Sequence, residues 1–432
     1  MGEVRARVAE SLSGWARGVE ETTGTRPGVV AERVFAAELV GRELEGLARR
    51  AVSEGSAPLG EHDEADLAAA VRDHLFGLGG LQRWLEDESV ENIDVTGADN
   101  VWVSYADGTR RRVDPVAGSD AELVELVQRA AERLPRVAKR FDLADPELSM
   151  QLPDGSRLYA VMEVSHRPAV SIRRHRYRTT TLGDLGRLGT VDDGVAALLA
   201  AAVRARRNIV VSGGTNVGKT TMLRALIAEI PPVERLVVVE DSAELDVHVD
   251  VDAHPDVVSL EVRDPGVEGT GGFGMARMVR GALRMNPSRV IVGEARGAEV
   301  APMLWAMSQG NDGSLCTVHA ESSAGVFDRL ALYAQSSGEV SEALAERLVA
   351  LSVHLVVHLD RSSDGHRVVG SIRAVTGRAD GGGVASDELF APGPDGRARA
   401  TGTALMPDLR DRLTAHGFDP EWLVERGGGW TR

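Results

Sequence analysis

Apolar residues recur along this chain in three rhythms, and each rhythm marks a region. Between Val30 and Ala48, Val34, Leu39, Val40, Leu44 and Leu47 stand among Glu and Arg at a roughly helical period. Ser53 to Gly60 interrupts the pattern, and Ala65 to Phe76 predicts a second, short helix. Residues 1–76 therefore read as a helical region, most simply a small bundle. From Gly77 to His175 the rhythm shortens. Ile93-Asp94-Val95 and Val101–Tyr105 predict strands, with A-D-G-T at 106–109 as a hairpin turn. Ala121–Leu134 predicts a helix, and Leu158–Val164 and Ala169–Ile172 predict further strands. Residues 77–178 read as a small α+β domain.

The third rhythm is a series of short, continuous apolar runs. It follows a stretch at 179–190 that holds Thr179, Thr180, Thr181, Gly183 and Gly186 and reads as a linker. Gly194–Arg207 predicts a helix. The runs at Ile209–Ser212, Leu236–Glu240, Val290–Val292, Ser314–His319, Val353–Leu359 and Val368–Val375 predict strands, with helices between most of them. Such alternation predicts an α/β domain over residues 191–377, with a mainly parallel sheet covered on both faces. After Gly377 the chain turns Gly- and Asp-rich. Residues 378–432 read as a C-terminal extension with a hairpin at Glu388–Thr401 around P-G-P-D-G, a short helix at Pro407–His416 and a frayed G-G-G-W-T-R end.

One run opens the chemistry. Ile209-Val210-Val211 leads into Ser212-Gly213-Gly214-Thr215-Asn216-Val217-Gly218, then Lys219, Thr220 and Thr221, and a helix follows to Ile230. Gly213 and Gly218 with Lys219 and Thr220 directly after fit the phosphate-binding loop pattern, and the strand–loop–helix context that the pattern requires is present. Glycines let the backbone curl so that several N–H groups face one phosphate. The helix N-terminus adds the positive end of a dipole. Lys219 is expected on the β/γ-phosphates of ATP and the Thr220 hydroxyl on Mg²⁺.

Composition narrows the class. The chain has 432 residues, a length prior of about three domains, with 43% hydrophobic and 26% charged residues. A formal charge of −16 opposes wholesale binding to DNA or anionic lipid, although it leaves room for a local basic patch. The single cysteine, Cys316, cannot form an internal disulfide and suits a reducing cytosol. The start, M-G-E-V-R-A-R-V-A-E, has no signal-peptide character. The nine-residue apolar run Val195–Val203 is far short of the ~20 needed to span a bilayer. The expected location is cytoplasmic, with any membrane association made through a partner.

Carboxylates close the second and third of these apolar strands. Glu240-Asp241 ends the run Leu236–Val239, with Glu244 nearby; Gly293-Glu294 ends Val290–Val292, with Arg296 beyond. The C-terminal ends of parallel strands face the ligand crevice. Glu240 is therefore expected to hold Mg²⁺ or orient a water, and Glu294 to polarise the attacking water. His319 ends the next strand, within G-N-D-G-S-L-C-T-V-H-A at 310–320. A lone histidine is more often structural; its strand-end place favours contact with the γ-phosphate. Cys316, inside an apolar strand, reads as a small buried side chain. Arg157, after a P-D-G-S turn, and Arg173, in the run Arg173-Arg174-His175-Arg176, are candidate phosphate sensors, since a nucleotide in a cleft needs charge from outside its core domain. The same basic run would suit nucleic acid, but Tyr177 is its one aromatic and the chain is acidic.

Taken together, six segments resemble the secretion and type IV pilus traffic ATPases, most closely the CpaF/TadA-type ATPases of Tad (Flp) pili. They are L-P-D-G-S-R (152–157), V-S-I-R-R (170–174), the 213–221 loop, V-V-V-E-D-S-A-E-L (237–245), A-L-R-M-N-P-S-R-V-I-V-G-E-A-R-G-A-E (282–299) and 310–320. The resemblance runs from about Leu81 to Trp422. It implies an Asp box at Glu240, Asp241 and Glu244, a Walker B glutamate at Glu294 and a His box at Gly310–His319. It also implies a RecA-like domain, a homo-hexameric ring with nucleotide between the α+β and RecA-like domains, and mechanical work on inner-membrane pilus or secretion platform proteins. The family's G-H-D-G is here Gly310-Asn311-Asp312-Gly313. Asn311 cannot become a cation, which leaves His319 as the box's one histidine. The resulting expectation is a P-loop ATPase motor at the inner face of the cytoplasmic membrane. Its rivals are a conjugation-associated DNA-handling ATPase and a non-catalytic nucleotide-sensing scaffold.

Overall fold

The computed structural model describes residues 2–25, 27–133, 140–174, 180–263 and 271–424. His175, Arg176, Tyr177, Thr179 and the expected frayed end lie outside them. The chain divides into two units, Met1–Arg176 and Tyr177–Arg432.

The first unit opens with helices α1 (Gly2–Thr23), α2 (Val29–Ser53) and α3 (Glu61–Phe76). Their apolar stripes meet in a small core that includes Val8, Val40 and Val71, with Trp15 stacked on Phe35 at 4.5 Å. A short helix α4 (Gln82–Glu86) leads to strands β1 (Val90–Thr96), β2 (Val101–Tyr105) and β3 (Arg110–Val113), helix α5 (Asp120–Arg133), and strands β4 (Glu147–Gln151), β5 (Arg157–Val161) and β6 (Ala169–Arg173). The six strands form an antiparallel sheet in the order β3-β2-β1-β6-β5-β4. Alternate residues such as Ile93, Val95, Leu158 and Ile172 point into a second core shared with Leu123 and Val127 of α5.

The second unit begins where a linker was expected. Residues 182–187 form a helix, α6 (Leu182–Arg187), closed by a reciprocal cap in which Thr181 and Asp184 exchange side-chain and backbone hydrogen bonds. Leu182 and Leu185 are buried in the unit's core, so apolar contact overrides the Thr- and Gly-rich composition. Then follow α7 (Asp193–Arg204), β7 (Ile209–Gly213), α8 (Lys219–Ile227), β8 (Leu236–Glu240), β9 (Val257–Glu261), α9 (Met275–Ala282), β10 (Arg289–Ala295), α10 (Val300–Ser308), β11 (Leu315–His319), α11 (Gly325–Gln335), α12 (Glu342–Ser352), β12 (Leu355–Arg361), β13 (Arg367–Arg378), β14 (Val384–Pro392), β15 (Ala398–Ala400) and α13 (Pro407–Ala415).

Nine strands form one mixed sheet, β15-β14-β13-β12-β7-β11-β10-β8-β9. The six from β12 to β9 run parallel; β13, β14 and β15 are added antiparallel. The run at Val368–Val375, expected among parallel strands, is thus the return arm of a hairpin, because only a short turn separates it from β12. Residues 378–432, set apart above as an extension, contribute β14, β15 and α13 to the same sheet and core. Strand β9 had no counterpart in the sequence reading.

Alternation along the central strands feeds two cores. Ile209, Val211, Leu236, Val238 and Ile291 pack with α7 and α8 on one face; Val210, Val237, Val239, Val290 and Val292 pack with α9 to α12 on the other. All five residues of β7 and of β8 are buried, as a parallel sheet covered on both faces requires. Cys316 of β11 is buried among them, and burial pushes its thiol up to about 12.

Candidate active site

The strand order places β7 between β12 and β11, and the C-terminal ends of β7, β11, β10 and β8 lie in succession along one edge. The loop after β7 is set by glycine. Gly213 has φ +149°, and a Cβ there would stand 2.4 Å from the carbonyl oxygen of Leu359. No other residue fits that curl. Gly218, at φ +98°, caps α8, whose first residue is Lys219. Asn216, at the loop's tip, is also left-handed at φ +59°. The Lys219 ammonium donates to the carbonyls of Gly213 (3.2 Å) and Gly214 (2.7 Å) and lies 3.3–3.4 Å from the His319 ring nitrogens. Burial lowers the Lys219 pKa, against the opposing attraction of Glu294.

His319 joins two predicted residues that sequence could not pair. Its Nε2 lies 3.1 Å from Glu294 Oε1, so Lys219, His319 and Glu294 form a row from the start of α8 across the ends of β11 and β10. Burial, and then the Lys219 charge, hold the His319 pKa down. A neutral imidazole with its proton on Nε2 donates to Glu294.

Beside this row stands the acidic cluster. Glu240 is 5% exposed, and burial pushes its carboxyl up to about 7. Its Oε1 accepts from the backbone N–H of Glu244 and of Leu245, both at 2.9 Å. That contact folds the turn after β8 back and brings Glu244 to Thr220, whose hydroxyl donates to Glu244 Oε2 at 3.4 Å. Asp241 instead pairs with Arg296 at 2.6 Å. Gly293 makes room, because a Cβ there would lie 2.9 Å from Glu240 Cγ. Thr220, Glu240 and Glu244 are hard oxygen donors of the kind Mg²⁺ takes. The glycine cradle, the loop N–H groups and Lys219 fit a nucleotide polyphosphate.

Other predicted residues go elsewhere. Gly310–Gly313 lies before the N-terminal end of β11, its nearest residue Gly313 six residues from His319, or about 20 Å at strand rise. There the side chain of the fully buried Asn208 accepts from the N–H of Gly313 (2.8 Å) and Ser314 (3.0 Å) and donates to the carbonyls of Met307 and Ser352. Asn311 thus belongs to a structural turn at the far end of the strand from Lys219. Arg157 and Arg173 are direct cross-strand partners on β5 and β6, in the first unit.

The sequence reading missed two arginines. Arg361 Nη2 lies 3.4 Å from the Asn216 carbonyl, and Arg367 Nη2 donates to Asn216 Oδ1 at 2.9 Å. Both come from the β12–β13 hairpin, more than 140 residues along the chain. No local signal marks them; only the pairing of β12 with β7 brings them to the loop.

Comparison with known proteins bears on the same segments. A family model described as "Type II/IV secretion system protein" matches residues 76–406. A "putative conjugal transfer protein" of Mycobacterium tuberculosis is 36% identical over 332 residues, which cover 75% of this chain and 91% of that one. The type IV secretion system protein PtlH of Bordetella pertussis is 30% identical over 285 residues, covering 60% and 80%. The crystal structure of the ATPase DotB from Legionella pneumophila aligns with a TM-score of 0.50 at 19% identity, covering 69% of this chain and 80% of that one; this is a likeness of fold.

Proposed function

Since the chain belongs to the type II/IV secretion system protein family, we propose that it is an ATP-hydrolysing, ring-forming motor. Its work would be Tad/Flp-type pilus assembly or type II/IV secretion. The observation that carries the reading is the row Lys219–His319–Glu294 beside Thr220, Glu240 and Glu244, all at the end of the parallel strands where the glycine loop opens.

In this reading the backbone N–H groups from Gly213 to Thr221 hold the phosphates of ATP, and Lys219 reaches them. Thr220 and Glu240, with Glu244, would hold Mg²⁺ directly or through water, and the ion would supply charge neutralisation to the phosphates. Glu294 orients and polarises the attacking water. His319 fixes Glu294 and contacts the γ-phosphate. Arg157 and Arg173 are proposed as added phosphate contacts, because a nucleotide in a cleft needs charge from outside its core domain. The RecA-like assignment for the second unit, a homo-hexameric ring and peripheral attachment to the cytoplasmic membrane through pilus or secretion platform proteins belong to the same proposal. Opening and closing of a cleft on nucleotide turnover would be the motion passed to those partners. Among the described residues, no helix is long and apolar enough to cross a membrane.

The test is ATP turnover by purified protein with and without Mg²⁺, together with particle mass. Mg²⁺-dependent turnover in particles of about six subunits is expected. Lys219→Ala and Glu294→Gln should each slow it on the order of 100-fold or more. A monomer that binds ATP but turns it over no faster than the Glu294→Gln protein would leave the scaffold reading standing.

A second reading comes from the mycobacterial relative, a putative conjugal transfer protein. A DNA-handling motor should show DNA-stimulated turnover, and the formal charge of −16 opposes it.

A further inference from the structure

We propose that Arg361 and Arg367 are positioning residues of the nucleotide loop, clasping Asn216 so that the loop is pre-formed for a polyphosphate. The inference rests on the reading of Gly213–Lys219 as the nucleotide loop.

Three contacts carry it. The β12–β13 hairpin touches the loop at its start, where the Leu359 carbonyl fits against Gly213; at its tip, where both arginines hold Asn216; and at its end, where Arg367 Cδ lies 3.7 Å from the place a Gly218 Cβ would occupy. The hairpin is therefore one wall of the loop. Asn216 is a non-glycine residue at φ +59°, a conformation that asparagine tolerates better than most residues but that still needs local support. Arg367 holds its side chain and Arg361 its carbonyl, so side chain and backbone are fixed from one side.

The two arginines are direct cross-strand partners, Arg361 opposite Arg367. Like charges directly opposite on an antiparallel pair repel. The acid in the intervening turn does not relieve this pair, since Asp364 pairs with Arg397 (2.9 Å) and His366 (3.1 Å). Two opposed cations beside a loop of N–H groups raise the local positive potential, which favours an anionic ligand. The hairpin turn is itself braced: Ser363 N–H donates to the Asp395 carbonyl, and Arg397 follows in the β14–β15 turn. The C-terminal strands thus hold the hairpin that holds the loop.

Pre-forming a loop lowers the ordering cost of binding and acts on substrate and transition state alike. Arg367→Ala and Arg361→Ala should therefore each weaken binding of a fluorescent ADP analogue and raise the KM for ATP about three- to tenfold, the worth of one ordinary hydrogen bond at an exposed site. The kcat should stay within about twofold. Asn216→Gly keeps the left-handed backbone but removes the side-chain acceptor. It should weaken binding like Arg367→Ala, and the double variant should be no worse than either single one, because both break the same bond. Both arginines are exposed, and thermal melts within about 2 °C of wild type would confirm that the variants fold. Unchanged affinity and KM in both arginine variants, additive losses in the double variant, or a fall in kcat at constant KM would each overturn the clasp. Lys219→Ala separates the two levels: nucleotide binding and turnover unaffected by that change would sink the loop reading itself, whereas their loss alongside neutral arginine variants would sink only the clasp.

Discussion

Gly293 shows how closely a single side chain can depend on one missing carbon. Glu240 folds over it, and a Cβ would press at 2.9 Å on the methylene of a buried side chain whose carboxyl group is held by two backbone N–H groups. Glu240 in turn holds the N–H groups of Glu244 and Leu245 and so aims Glu244 at Thr220. Gly293→Ala is expected to lower stability by about 1–3 kcal/mol, the usual cost of overpacking. The loss of turnover should be larger, since the whole acidic turn moves. Denaturant melts and steady-state turnover on the same preparation check this; equal stability and equal turnover would show that Glu240 is not held as described.

At the scale of elements, strand β11 has two ends with different work. His319 stands beside Lys219 at one end; Gly310–Gly313 at the other is tied to Asn208, the residue before β7, and through it to the end of α12. The Asn208 N–H donates to His354 Nδ1 at 2.9 Å, so this imidazole serves as a neutral acceptor. Burial first, then the charge of Arg207, push the His354 pKa down from 6.5 to about 4. The sign follows directly. The unfolded chain binds a proton at higher pH than the folded one, so this stability is present above pH 6.5 and is lost as pH falls towards 4. The full effect is about 3 kcal/mol at most. His354→Asn, whose side-chain oxygen can replace Nδ1 as acceptor, should flatten the fall in melting temperature between these two pH values. A slope identical to wild type would remove His354 from the account.

For the whole molecule, charge decides between rivals that share a site. Net charge of −16 on 432 residues repels a polyanion over most approaches. Turnover is expected to change by less than about twofold on adding single- or double-stranded DNA near physiological salt, and fluorescence anisotropy should detect only weak, salt-sensitive association. Several-fold stimulation by DNA would favour the conjugation-type motor. The covering of the sheet is a property at this scale too. Its two faces carry separate cores, and the three antiparallel strands extend the flank beyond β12, the strand that pairs with β7.

The sequence by itself determined the features whose causes are local. Continuous apolar runs made the central strands, and the glycines with Lys219 and Thr220 made the strand–loop–helix unit. Strand-end carboxylates placed Glu240 and Glu294 at the edge of the sheet where the glycine loop opens. Those signals sit within a few residues of what they specify. Tertiary structure alone decided which strands are neighbours, and most of the site follows from that. Lys219 meets His319 across 100 residues, Asn216 meets Arg367 across 151 and Asn208 meets Ser352 across 144. Periodicity carries no record of such pairings, because burial drives a strand into the sheet without naming its partner. For the same reason, Gly310–Gly313 and His319 read as one motif along the chain yet stand at opposite ends of a strand. Likewise the Thr- and Gly-rich stretch before the sheet reads as a linker and folds as a capped helix with buried leucines.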